Sequence, residues 1–67
     1  MRRYLIHHDE NRGTWDLVVS SDGQWSVEHS HGSQRHSFTV EEFQQTENGR
    51  RLVQNLTDAI SRARSGG

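Results

Sequence analysis

Ser21-Asp22-Gly23 is the stretch that most limits how this chain can fold. Before it, Trp15, Leu17 and Val19 alternate with other positions. After it, Trp25, Val27 and His29 alternate with Ser26, Glu28 and Ser30. Period-two alternation on both sides of an Asp-Gly pair specifies a β-hairpin. Burial then chooses the register. A two-residue turn would place Trp15, Leu17 and Val19 on the face away from Trp25. A three-residue loop, with Gly23 as the left-handed bulge residue, pairs Val19 with Trp25, Leu17 with Val27 and Trp15 with His29. A slip of one residue exchanges the two faces, so the apolar set selects the three-residue loop.

The same alternation extends the sheet in both directions. Met1 to His8 reads as a strand with Tyr4, Ile6 and His8 on one face and Leu5 and His7 on the other. A four-residue loop, Glu10-Asn11-Arg12-Gly13, would set Ile6 opposite Leu17, Tyr4 opposite Val19 and His8 opposite Trp15. A turn on Gly32-Ser33 sets Val27 opposite Phe38 and His29 opposite His36. The expected sheet is a four-stranded antiparallel meander. Tyr4, Ile6, Leu17, Val19, Trp25, Val27 and Phe38 share its apolar face, and a row of His8, Trp15, His29 and His36 lies at one end. Asp16, Ser26, Glu28, Ser30 and Ser37 form the polar face.

Helices follow. Thr39-Val40-Glu41-Glu42 is a capping box, so a short helix is expected to start at Val40. A break at Asn48-Gly49 lets Phe43 and Leu52 face the same sheet. The second helix is expected over residues 50–64, with Leu52, Val53, Leu56, Ala59, Ile60 and Ala63 as its apolar stripe. The fold class is α+β: a small meander with a short helix and a longer C-terminal amphipathic helix on one face. Residues 1–64 form one domain, and Ser65-Gly66-Gly67 a flexible tail.

Composition narrows the chemistry. A 67-residue chain that is 28% apolar has a thin core, and a chain of this size buries only about 60% of its unfolded surface. It contains no cysteine, which removes disulfides and thiolate zinc sites as reinforcement. A homodimer, a protein partner or a histidine-bound metal are the remaining devices. The net charge of −1 does not favour nucleic acid as a partner. All eight basic residues are arginines, which fits a GC-rich bacterial or phage gene. No apolar run is long enough to span a membrane and no signal-peptide core is present, so cytoplasmic residence is expected.

Two groups of residues could carry function. His29 and His36 face each other across one hairpin, with His31 two residues along. These three are the candidate ligands for a divalent metal, with no other cofactor indicated. Arg2, Arg3, Arg50, Arg51 and Trp15 are the candidate partner-binding residues. Arg50 and Arg51 would sit in the first turn of a helix, where the dipole disfavours cations, and an anionic partner would offset that cost. Trp15, beside the histidines, is expected to be more accessible than Trp25. No nucleophile elbow, phosphate loop or zinc-protease pattern is present. The expected function is therefore a non-enzymatic protein-interaction module of the regulator or inhibitor kind. Histidine metal binding and weak nucleic-acid binding through arginines are the alternatives.

Overall fold

The computed structural model describes residues 1–66. Four strands, β1 (Arg2–Asp9), β2 (Gly13–Val19), β3 (Trp25–His31) and β4 (Gln34–Thr39), pair in sequence order as an antiparallel meander. Three helices follow: α1 (Val40–Gln45), α2 (Glu47–Arg51) and α3 (Val53–Arg64). The α+β class and the meander with a longer C-terminal helix are as the alternation and capping signals specify.

Turn chemistry explains why two hairpins take the expected register. Val19 pairs with Trp25, Leu17 with Val27 and Trp15 with His29. Gly23 has φ +86° and its amide donates to the Ser20 carbonyl, closing the three-residue loop. The Asp22 carboxylate accepts from the Ser20 hydroxyl and the Gln24 amide, which holds it below the usual carboxylate range. In the next hairpin Val27 pairs with Phe38 and His29 with His36.

The first hairpin differs. Tyr4, not Ile6, lies opposite Leu17, and His7, not His8, lies opposite Trp15, because the register shifts between Leu5 and His7. A β-bulge there gives two residues on β1 to one on β2. Ile6 and His7 therefore share the helix side of the sheet, and His8 turns to the other side, where its Nδ1 lies 2.8 Å from the Thr14 hydroxyl. The bulge also alters what the backbone offers. Asn55 of α3 donates its side-chain amide to the Ile6 carbonyl at 3.1 Å, and Arg62 donates to the Leu5 carbonyl at 2.5 Å. These residues are seven apart, two turns on one helix face. Arg62 is thus committed to β1 and does not pair with the Asp58 carboxylate four residues earlier.

The core forms where α3 covers β1 and β2, and α1 covers β3 and β4. It contains Tyr4, Ile6, Trp15, Leu17, Val19, Val27, Phe43, Leu56, Ala59 and Ala63, edged by Trp25, Phe38, Val40, Leu52 and Ile60. Val53, expected in the stripe, is exposed. On the polar face Val18 is only 7% exposed. Its cross-strand neighbour Arg3 reaches over the sheet to Glu28, and the aliphatic stem shields apolar surface on the way.

The helical segment breaks earlier than expected. Thr39 caps α1, accepting from the Glu42 amide at 3.0 Å while the Glu42 carboxylate accepts the Thr39 amide at 2.9 Å. Thr46, not Asn48-Gly49, ends α1: its hydroxyl donates to the Phe43 carbonyl and accepts from the Gly49 amide. Asn48 and Gly49 lie inside α2. Gly49 is there for closeness, since a Cβ would fall 1.7 Å from the Phe43 carbonyl oxygen. At the far end, Ser65 and Gly66 cap α3, with Gly66 at φ +76° and its amide on the Ala63 carbonyl. Gly67 lies outside the described residues.

Gly49→Ala is expected to lower stability by about 1–3 kcal/mol through overpacking, read as the urea unfolding midpoint. An unchanged midpoint would mean that α1 and α2 can separate without penalty.

Candidate functional site

At one end of the sheet, the β1–β2 loop, the start of α2 and the last residues of β3 enclose an open cleft of about 420 Å³. Trp15, His29, His31 and Arg51 line it together with Asn11, Arg12, Glu47 and Asn48. Four of the residues singled out from sequence thus meet here. The floor is rigid. The Trp15 and His29 rings stack, with centroids 4.4 Å apart and planes within 10°. His29 Nε2 lies 2.6 Å from the Arg12 carbonyl oxygen. The loop above is held by Asp9, whose carboxylate accepts the Asn11 and Arg12 amides. Those amides, with the Arg12 charge nearby, hold the Asp9 carboxyl below its ordinary range.

Several expectations change here. Trp15 is 3% exposed, whereas Trp25 is half-buried beneath the Arg64 guanidinium. The reversal has a positional cause: Trp15 lies mid-sheet between His7 and His29, while Trp25 opens a strand beside a hairpin loop. Trp15 is therefore a floor residue and not an exposed contact. The structure does not bring His29, His31 and His36 together as a set of three. Among the described residues no three His, Asp or Glu side chains approach in a way that could hold an ion. His29 is taken by Trp15 and Arg12, and His36 lines no part of the cleft that holds His31.

The arginines also separate. Arg50 and Arg51 occupy the last turn of α2, where the dipole favours them, so no placement cost asks for an anionic partner. Arg2 lies over the Tyr4 ring. Arg3 makes a two-pronged contact with Glu28 at 2.9 and 3.3 Å and reaches Asp16 at 3.7 Å on the polar face. In the cleft, Arg12 and Arg51 are accompanied by Glu47, with Asp9 in the adjoining recess. The opposed charges nearly cancel and define no ligand class.

The two sheet edges form a second feature, one that sequence reasoning did not resolve. Alternation in the β1–β2 ladder turns the Leu5 carbonyl outward, and Arg62 caps it. On β4, the two-residue turn makes His31 and Gln34 a hydrogen-bonded pair. The backbone groups of Arg35, Ser37 and Thr39 then point away from β3. Thr39 is consumed: its amide bonds Glu42, and its carbonyl begins α1. Arg35 and Ser37 each keep an outward amide and carbonyl. No helix, bulge or proline protects them, and all of β4 but Phe38 is exposed. Asn55 and Arg62, seven residues apart beside the apolar stripe, were the signal that α3 bonds the β1 edge.

Compared with known protein families, curated proteins and solved structures, the chain matches none of them. No helix among the described residues is long and apolar enough to cross a membrane.

The Arg3 cluster generates a pH dependence. Its hydrogen bond to Arg3 holds the Glu28 carboxyl below its ordinary value, while burial raises that of Asp16. The Glu28 contribution is present above the ordinary carboxylate range and disappears as pH falls through the lowered value. Asp16 acts in the opposite sense, becoming easier to accommodate once protonated. Glu28→Gln is expected to lose about 0.2–1 kcal/mol at pH 7, as for a partly exposed pair. The difference from the parent protein should shrink as pH falls through the lowered Glu28 value in urea titrations; a constant difference would mean that the charge on Glu28 contributes nothing.

Proposed function

We propose that this protein is a non-enzymatic protein-interaction module that binds by adding a strand at the β4 edge. One observation carries the reading: β4 is an unbroken, exposed edge, whereas β1 is interrupted by a bulge. α3 bonds one outward carbonyl of β1, that of Leu5, on a strand interrupted by a bulge, whereas Arg35 and Ser37 on an unbroken β4 present unpaired backbone groups to solvent. Natural sheets blunt their edges with lysines, prolines, bulges or covering elements. This chain blunts β1 and leaves β4 open, the arrangement used where an extended segment joins a sheet.

The surroundings of β4 suit a strand ligand. Trp25 and Phe38 are half-buried beside it, in a shallow groove shared with Ser26, Ser37, Thr39 and Glu42. A bound strand would contact this aromatic rim while its backbone pairs with Arg35 and Ser37. The regulator or inhibitor role, in a bacterial or phage cytoplasm, belongs to the same proposal. It rests on the small size and the arginine-only basic set.

Ser37→Pro is the discriminating substitution. Its amide faces outward, so proline removes an edge donor without breaking the β3–β4 ladder. A protein captured by the parent chain should be lost with Ser37→Pro and retained with Arg51→Ala, compared by affinity capture of variants whose circular dichroism is unchanged. Capture that survives Ser37→Pro and fails with Arg12→Ala or Arg51→Ala would make the cleft the binding site.

A further inference from the structure

We infer that the strand received by β4 is the β4 strand of a second copy of this chain, paired antiparallel about a two-fold axis at His36. The inference rests on the edge-binding reading above and names its partner. Few backbone groups of β4 are free. Thr39 is occupied by the α1 cap, so the open ladder of β4 consists of Arg35 and Ser37 alone. Antiparallel strands pair through residues that exchange both amide and carbonyl bonds, at every second position.

Two copies of this edge fit one another in a single register. Placing Arg35 opposite the second copy's Ser37 also places Ser37 opposite the second copy's Arg35, because the axis is two-fold. All four outward amides and all four outward carbonyls of those residues can then pair. A register centred on Ser37 would instead set Arg35 against Thr39, whose amide is committed to Glu42. The fit is backbone self-complementarity, and it needs no foreign sequence.

Side chains and helices accept that register. Arg35 is the only formally charged residue of β4, and it meets Ser37 and not a second arginine. Gln34 lies opposite Phe38. The single like-with-like pair is His36 on His36, at a non-hydrogen-bonded position. α1 begins at the end of β4 remote from the Gly32 turn, so the two α1 helices lie at opposite ends of the joined strands. The product is one continuous eight-stranded sheet with both helical layers on the same side.

Register-specific crosslinking tests this. Non-hydrogen-bonded partners have Cα atoms about 4.5 Å apart, inside the disulfide range, whereas diagonal neighbours lie about 7–8 Å apart. His36→Cys is expected to oxidise to a covalent dimer at least tenfold faster than Arg35→Cys. The unmodified protein should sediment as a concentration-dependent dimer, and Ser37→Pro as a folded monomer. Equal crosslinking at both positions, or a parent protein that stays monomeric to millimolar concentration, overturns the inference. A monomer that still captures a protein through Ser37 would retain the edge reading while refuting self-pairing. A dimer indifferent to both Ser37→Pro and the position of the cysteine would refute the two together.

Discussion

The arrangement of the whole molecule depends on two hydrogen bonds from α3 to the bulged strand β1. A helix lying on a sheet is held by apolar contact, which resists sliding only weakly because it has no direction. The bonds from Asn55 to the Ile6 carbonyl and from Arg62 to the Leu5 carbonyl supply the missing direction. They fix α3 over the β1–β2 side of the sheet, leaving the β3–β4 side to the short helix α1. In that position Leu56, Ala59 and Ala63 share one core with Tyr4, Ile6 and Leu17.

What the sequence made legible was whatever local turn chemistry controls. Ser21-Asp22-Gly23 and Gly32-Ser33 each dictate a loop length, and the registers of β2–β3 and β3–β4 follow. The Thr39 capping box likewise marks the start of α1 to the residue. The β1–β2 register was hidden because a bulge has no compulsory residue. Ile6 looks like any alternating apolar position, and only the helix side chains that satisfy its carbonyl reveal it.

The candidate site was legible in part. Trp15, His29, His31 and Arg51 do gather at one cleft, but their meaning changed once neighbours were known. Trp15 is buried because β2 is central, and strand order alone does not say which end of a small sheet a helix will cover. Gly49 read as a helix terminator because glycine has two uses, and close approach cannot be told from positive φ in a lone sequence. That misreading moved Arg50 and Arg51 from the end of one helix to the beginning of another. It thereby inverted the electrostatic argument built on them. The open edge at Arg35 and Ser37 carries no side-chain signature, since its chemistry belongs to the backbone.

Thr39 belongs to a strand and to a helix cap at once, and Arg62 caps one outward carbonyl on the opposite margin of the sheet. A sheet open on both sides can grow by strand addition without limit, which is the route to fibres. Here the bulge at Ile6 interrupts the β1 margin, and the cap cuts the β4 margin to two free residues. A two-fold pairing through those residues would occupy every free group of both β4 margins, so it would close as a pair and not propagate from β4.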